Sequence, residues 1–263
     1  MRRFVAGTGW KMNHTVVQTV DYAARLRNLL AGRDLSNVEI YVLPPFTALA
    51  AAQIAFAGSP VGWGAQTMHW DECGNWTGEI SAPMLAELGC RYVALAHSER
   101  LYNFAETYSR VRQKLETALR HGLTPVLCLG ETAEEKAMHC ADSAVAGQIR
   151  TALAGQTPAS ISRVILAYEP RWAIGGANAA RPDYVADRHS AVRAFLCAEY
   201  GPDTAAETRI IYGGSVTPQN GPALAAQPDV DGLFVGRAAW TAEGMAQIIE
   251  IVASAAEAKR IAL

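Results

Sequence analysis

The segment VILAYEPRWAIGG, residues 164–176, decides the fold that the sequence predicts. It opens with a run of five hydrophobic residues, which is typical of a buried strand in a parallel sheet. Glu169 stands where this strand stops, Pro170 fixes the next backbone turn, and a glycine pair ends the segment. A carboxylate in this place fits a catalytic base beneath a movable loop. It fits equally well a strand-ending glutamate in an ordinary surface loop.

The rest of the chain repeats the alternation of a short apolar strand and a helix. Seven further strands are predicted at Phe4–Gly7, Glu39–Leu43, Val61–Ala65, Tyr92–Leu95, Thr124–Leu129, Arg209–Tyr212 and Leu233–Val235. No linker or shift in composition interrupts the 263 residues. The sequence therefore predicts an α/β fold in which residues 1–263 form a single domain, a closed (β/α)8 barrel. An open doubly wound sheet fits less well, because GTGWKM at residues 7–12 lacks the third glycine of a dinucleotide-binding turn.

Two helices show the amphipathic pattern most clearly. The first runs from Thr15 to about Leu30, and its spacing predicts one buried face made of Val16, Val20, Ala23, Leu26 and Leu30. The second is predicted from Glu106 to His121 and is ended by Gly122.

Composition and charge narrow the class of protein. Half of the residues are hydrophobic and the formal net charge is −2, with no basic run, so a nucleic-acid partner is not expected. The five cysteines form no CxxC pair and no Cys/His cluster with zinc spacing, which favours a reducing compartment and no metal site. The first residues resemble neither a signal peptide nor a membrane anchor. We therefore expect a soluble, cytoplasmic protein that does not associate with a membrane.

Polar residues follow several of the predicted strands, at the end where barrel enzymes hold their active sites. They are Lys11, His97, Glu169, Ser215 and the pair Gly236-Arg237. Taken singly, each has a plainer interpretation as a structural histidine, a solvated lysine, a tight turn or a strand end. Their common placement after successive strands favours one shared site.

These residue types indicate a particular chemistry. Glycine-rich loops after the last two strands expose backbone N–H groups that suit a phosphate. A carboxylate can remove a proton, while a lysine and a histidine can stabilise charge on oxygen. The set predicts proton abstraction next to a carbonyl group. Acyl transfer is not supported, since no serine or cysteine has a paired base, and no carboxylate cluster suggests a metal.

Short motifs along nearly the whole chain carry a family resemblance. They are residues 9–13 (GWKMN), 64–66 (GAQ), 77–81 (TGEIS), 96–100 (AHSER), 128–132 (CLGET), 168–175 (YEPRWAIG) and 212–216 (YGGSV). In this order they resemble the triosephosphate isomerase family. The resemblance implies a TIM barrel that needs no cofactor and interconverts D-glyceraldehyde 3-phosphate and dihydroxyacetone phosphate in glycolysis and gluconeogenesis.

The same resemblance implies roles for individual residues. Glu169 would be the base, His97 the neutral electrophile and Lys11 the stabiliser of negative charge. Ser98, Glu99 and Cys128 would support these three from behind. Substrate and phosphate would be bound at Gly9, Gly175, Ser215, Gly236 and Arg237. Residues 170 to about 180 would form a lid, and the loop 66–79 would reach into a second subunit to form a homodimer.

Several positions depart from the usual family pattern. Gly9 replaces an asparagine, Arg237 replaces a glycine, and Gly176-Ala177-Asn178 replaces Thr-Gly-Lys in the lid. Gly9 and Arg237, together with His69-Trp70, Trp76 and Trp240, resemble a side branch of the family. That branch converts L-erythrulose 1-phosphate to D-erythrulose 4-phosphate in the breakdown of erythritol. Because Gly9 leaves room for one additional CHOH group, the triose and tetrulose substrates both stay open.

Overall fold

Eight parallel strands form a closed barrel in the computed structural model, which describes residues 2–175 and 179–261. The strands are β1 (Phe4–Gly9), β2 (Val38–Leu43), β3 (Val61–Ala65), β4 (Tyr92–Leu95), β5 (Thr124–Leu129), β6 (Ile165–Tyr168), β7 (Arg209–Tyr212) and β8 (Gly232–Val235). Each strand pairs with the next, and β8 returns to pair with β1. The predicted barrel fold is confirmed.

Helices follow the strands around the outside of the barrel. Within the described residues they are α1 (Val16–Leu30), α2 (Leu49–Phe56), α3 (Ala82–Glu87), α4 (Ser98–Asn103), α5 (Tyr108–Arg120), α6 (Ala133–Ala137), α7 (Ala141–Leu153), α8 (Pro158–Ile161), α9 (Pro182–Tyr200), α10 (Pro202–Glu207), α11 (Gly221–Ala225) and α12 (Ala242–Ile261). Short 3-10 turns lie at Phe46–Ala48, Arg171–Ala173 and Arg237–Ala239. In these described ranges, no helix is long and apolar enough to cross a bilayer.

Each strand is buried on both of its faces, and both faces therefore carry apolar side chains. One set of side chains fills the barrel interior, and a larger set packs between the strands and the helices. Tyr41 shows how tightly the interior is filled. Its ring lies over Gly7, where an added Cβ would be 2.2 Å from the Tyr41 Cζ atom. Gly7 is therefore needed for this ring to pack.

Two details of the predicted helices were wrong. Val16 and Val20 of α1 are exposed, and Thr19 and Tyr22 occupy the buried face together with Ala23, Leu26 and Leu30. The helix does begin after Thr15, whose side chain accepts a hydrogen bond from the Gln18 N–H in a capping box.

The helix predicted from Glu106 begins later, at Tyr108. The Thr107 side chain accepts a hydrogen bond from the Arg110 N–H and so fixes the first turn. Glu106 itself is buried and forms an ion pair with Lys114, at 2.5 Å. A buried carboxylate held by a lysine of α5 thus sits just before the helix instead of inside it.

Candidate active site

The carboxyl ends of the strands surround a cavity of about 660 Å³. The predicted site residues that line it are Gly9, Lys11, His97, Glu99, Glu169, Gly175, Ser215, Gly236 and Arg237. Segments that lie far apart in the chain therefore meet at one mouth, as the strand-end argument predicted. The far end of the predicted lid, Gly176-Ala177-Asn178, lies outside the described residues.

Glu169 is buried at this mouth because two glycines make room for it. A Cβ on Gly213 would lie 2.7 Å from the Glu169 Oε1 atom, and one on Gly130 would lie 2.0 Å from the Glu169 carbonyl oxygen. Within the described part of the chain, Oε2 has no hydrogen-bond partner. Burial raises the pKa of this carboxyl, and the nearby His97, Cys128 and Lys11 only partly oppose that shift. A buried carboxylate with a raised pKa is a good proton acceptor.

His97 lies beside Glu169 and is held in a defined orientation. It is the N-cap residue of α4, and its Nδ1 atom accepts a hydrogen bond of 3.2 Å from the Glu99 N–H. An accepting Nδ1 carries no proton, so a neutral ring has its proton on Nε2. The Nε2 atom lies 4.0 Å from the Glu169 Oε2 atom. The geometry therefore places an N–H donor beside the Glu169 carboxylate.

Lys11 has an unusual backbone conformation that directs its side chain to the same place. Its φ of 54° lies in the left-handed region, which residues other than glycine rarely adopt outside functional sites. The Gln66 side chain holds it there by donating a hydrogen bond of 2.8 Å to the Lys11 carbonyl oxygen. The Lys11 Nζ atom forms an ion pair of 2.6 Å with Glu99. The ammonium group is thus placed at the mouth next to His97.

Two predicted supporting residues lie behind this trio. Cys128 is buried below Glu169, and burial raises the pKa of its thiol well above the usual range, so that the sulfur stays neutral beside the carboxylate. Ser98 is the first residue of α4 and is partly buried next to His97.

Glu131 is a residue that the sequence reasoning missed. It is fully buried and accepts hydrogen bonds from Trp172 at 2.7 Å, Tyr168 at 2.9 Å and Tyr184 at 2.9 Å. Three donors compensate the burial of one carboxylate. Glu131 thereby fixes the Trp172 indole in the first turn of the predicted lid. The motif at residues 128–132 contained this glutamate, but its position in the sequence gives no sign of these partners.

The phosphate-binding loops predicted after the last strands line the same cavity. Ser215 has a left-handed backbone with φ of 49°, and its hydroxyl donates to the Ala173 carbonyl oxygen of the lid segment. Gly236 and Arg237 begin a 3-10 turn, whose first N–H groups have no partner within the turn. The Arg237 side chain is exposed on the cavity rim. This end can present backbone N–H groups and one cation to an anion.

Gly9 forms part of the cavity wall. A Cβ at this position would lie 3.3 Å from the Phe234 Cζ atom, so the ring closes one side of the space. The Trp240 indole donates a hydrogen bond of 3.1 Å to the Gly9 carbonyl oxygen and holds this backbone in place. The two unusual residues, Gly9 and Trp240, are therefore in direct contact.

A family model described as triosephosphate isomerase matches residues 4–252 of this chain. A triosephosphate isomerase of Chloroflexus aurantiacus is 45% identical over 93% of this chain and 97% of its own, and that of Symbiobacterium thermophilum is 44% identical over 98% and 99%. An L-erythrulose-1-phosphate isomerase of Mesorhizobium japonicum is 40% identical over 92% of this chain and 94% of its own. The chain is thus similar to relatives with two different printed names.

Proposed function

Since the chain belongs to the triosephosphate isomerase family, we propose that it interconverts D-glyceraldehyde 3-phosphate and dihydroxyacetone phosphate. The observation that carries this proposal is the pairing of a buried carboxylate, Glu169, with the Nε2 atom of His97 at 4.0 Å. A base and an oxygen-directed donor side by side are what an aldose–ketose isomerisation requires.

The reaction passes through an enediolate. Glu169 removes a proton from the carbon next to the carbonyl group, and the C–H electron pair forms the C=C bond while the carbonyl oxygen gains negative charge. Lys11 and the His97 Nε2–H stabilise that oxygen. His97 then moves a proton between the two oxygens, and Glu169 returns its proton to the neighbouring carbon. No electron leaves the substrate, so the step balances without a cofactor.

The phosphate group is bound at the other end of the cavity. Backbone N–H groups of Gly175, Ser215, Gly236 and Arg237 take this part, and the Arg237 guanidinium adds a positive charge. A fixed phosphate positions the reacting carbons over Glu169. The test of the whole proposal is a coupled assay of aldose–ketose interconversion with the purified protein.

A tetrulose phosphate is the second candidate substrate, and the glycine at position 9 favours it. L-erythrulose 1-phosphate differs from dihydroxyacetone phosphate by one CHOH unit, which leaves an additional CH2OH group on the carbon that loses the proton. That group requires space beside the base. Gly9 keeps a side chain out of the cavity wall beside Phe234. Two relatives, at 40% and 41% identity, bear the name L-erythrulose-1-phosphate isomerase.

We expect Gly9→Asn to change the choice between the two substrates. The new side chain fills the space next to Phe234, so kcat/KM for L-erythrulose 1-phosphate should fall roughly tenfold or more relative to that for D-glyceraldehyde 3-phosphate, the size of a steric discrimination by one small group. Both substrates are assayed with wild type and variant. Gly147→Asn in α7, where an added Cβ meets nothing within 4 Å, is the matched control. An unchanged ratio would rule out Gly9 as the source of discrimination.

We propose that the protein is a homodimer joined through the loop 66–79. Exposed apolar side chains surround the mouth, including Met12 at 97% and Phe104 at 62% exposure. Within the loop, His69 and Trp70 stack at 4.0 Å, and Trp76 packs at 4.4 Å from His69 and donates a hydrogen bond to Asp71. This cluster holds the loop in one shape, so little ordering is required when it docks.

Trp76→Asp should convert the dimer to a monomer. The substitution places a charge in the docking loop, and a desolvated unpaired charge opposes association. Sedimentation equilibrium measures the mass of the wild type and the variant. The control is Met138→Asp in an exposed position after α6. A wild type that sediments as a monomer at all concentrations would refute the dimer.

We also propose that the chain forms one domain and is located in the cytoplasm. Residues 1–263 act as one domain, because β8 pairs with β1 and α12 packs on α1. The cysteines Cys73, Cys90, Cys128, Cys140 and Cys197 are free thiols, which suits the cytoplasm. The preferred substrate decides between a role in triose metabolism and one in erythritol breakdown.

A further inference from the structure

Arg171 makes a contact between the lid segment and α4 that the proposed mechanism does not use. It lies two residues after Glu169, in the first turn of the lid, and its guanidinium donates a hydrogen bond to the hydroxyl of Tyr102 on α4. The Arg171 Cζ atom also lies 4.8 Å from the centre of the Tyr102 ring. One arginine thus combines a hydrogen bond and a cation–aromatic contact with a single tyrosine.

The surroundings of Arg171 are aromatic. Its guanidinium also lies close to Tyr108, the first residue of α5: burial raises the pKa of the Tyr108 phenol and Arg171 partly opposes that shift. The Tyr108 hydroxyl in turn donates a hydrogen bond of 3.4 Å to the Cys128 carbonyl oxygen below Glu169. Within residues 2–175 and 179–261, no carboxylate lies within 4.0 Å of the Arg171 side chain. The two tyrosines are therefore its main side-chain partners.

The contact joins the two segments that carry the proposed chemistry. On one side, the Arg171 N–H donates a hydrogen bond of 3.0 Å to the Glu131 carbonyl oxygen, which fixes the backbone that follows Glu169. On the other side, Tyr102 belongs to α4, whose N-cap residue is His97. A shift of α4 relative to the lid segment would therefore change the 4.0 Å separation between the His97 Nε2 and Glu169 Oε2 atoms.

Other contacts of the lid segment cannot do the same. Trp172 bonds to Glu131 and the Ala173 carbonyl oxygen accepts from Ser215, so both tie the lid to β5 and β7 loops. Among residues 170–175, Arg171 is the one whose side chain forms a hydrogen bond with α4. Tyr102 is 57% exposed, which means that the contact lies at the protein surface and contributes little to the core.

We propose that Arg171 and Tyr102 form a brace that positions the base of the lid segment relative to the histidine of α4. The inference rests on the proposed isomerase function, because it assigns Glu169 and His97 as the reacting pair. Arg171 is a positioning residue: it touches neither substrate nor phosphate. Misplacing a catalytic group by about 1 Å can cost roughly 100-fold in rate, so even a partial loosening of the brace is measurable.

The test compares two ligands that depend on different parts of the site. 2-Phosphoglycolate carries a carboxylate that mimics the enediolate and needs the base and histidine in place, whereas glycerol 3-phosphate needs the phosphate loops. Dissociation constants for both are measured by calorimetry with wild type, Arg171→Leu, Tyr102→Phe and the double variant. Arg150→Leu is the matched control, because Arg150 lies over the Phe195 ring at 5.1 Å, on α7 and away from the cavity.

Arg171→Leu should weaken 2-phosphoglycolate binding roughly 5- to 10-fold and leave glycerol 3-phosphate binding within about twofold. Tyr102→Phe, which keeps the ring and removes only the hydroxyl, should give a smaller loss of the same kind. The double variant should be no worse than Arg171→Leu alone, since both substitutions break one contact. In turnover, kcat should fall while KM changes little, and Arg150→Leu should match wild type in every measurement.

Equal losses for both ligands, additive losses in the double variant, or no loss at all would overturn the brace. Unfolding midpoints of the variants show whether a loss comes from general destabilisation, and Tyr102→Phe remains informative if Arg171→Leu does not fold. The binding arm needs no turnover, so it separates the two proposals. If the wild type isomerises the substrates but the variants bind 2-phosphoglycolate normally, the brace is refuted and the isomerase function stands. If the wild type is inactive but the variants lose 2-phosphoglycolate affinity non-additively, the isomerase function is refuted and the brace stands.

Discussion

Glu169→Asp should lower kcat roughly 100-fold or more while the barrel stays folded, because a carboxylate shortened by one methylene group no longer reaches the carbon that it must deprotonate. Gly213 and Gly130 pack directly against Glu169, so the site is shaped around the longer side chain and cannot follow the shorter one. Steady-state kinetics with D-glyceraldehyde 3-phosphate give kcat and KM, and circular dichroism checks the fold. Because the phosphate loops are untouched, KM should change far less than kcat.

The pH dependence provides a second readout of the same residue. Glu169 acts as a base only when it is deprotonated, and burial raises its pKa above the ordinary value for a glutamate. As the pH falls through that raised pKa, kcat/KM of the wild type should fall tenfold per pH unit, and this decline should begin at a higher pH than an exposed glutamate would give. Glu169→Gln should abolish nearly all turnover. A Glu169→Asp variant with wild-type kcat would refute the assignment of the base.

The fold could be predicted from the sequence because its strands are buried on both sides. Val126, Ile165 and Ile211, for example, sit in unbroken apolar runs that the barrel interior explains. Periodicity failed on the first helix, where exposed Val16 and Val20 were assigned to the buried face. A hydrophobic residue at helical spacing indicates contact with something apolar. It does not specify whether that is the core of the same chain or a surface outside it.

The site residues could be predicted in part, and for a topological reason. Lys11, His97 and Glu169 each lie within two residues of a strand end, so barrel closure brings them to the same mouth. The partners of Glu131 and the contact of Arg171 with Tyr102 could not be predicted. They depend on which loop residues approach one another in space, and no periodicity or spacing in the chain encodes that.

His97→Gln should lower kcat roughly 100-fold or more, within the range that a positioned acid–base group contributes, and leave affinity for glycerol 3-phosphate within about twofold. A glutamine can still donate a hydrogen bond to a substrate oxygen, but it cannot accept and release a proton between two oxygens. The loss should therefore fall on proton transfer and not on binding. The fold should stay intact, because the ring lies at the cavity wall in an N-cap position and its replacement removes one capping contact.

Measuring both ligand affinity and kcat in the His97→Gln variant separates a role in proton transfer from a role in binding. Calorimetry gives the dissociation constant for glycerol 3-phosphate, and stopped-flow or steady-state assays give kcat for the isomerisation. If His97 served mainly to hold the phosphate-bearing ligand, kcat/KM and ligand affinity would fall by the same factor. The placement of its Nε2 atom 4.0 Å from the Glu169 carboxylate predicts instead that only kcat falls. A matched loss of affinity would therefore remove His97 from the proton-transfer step.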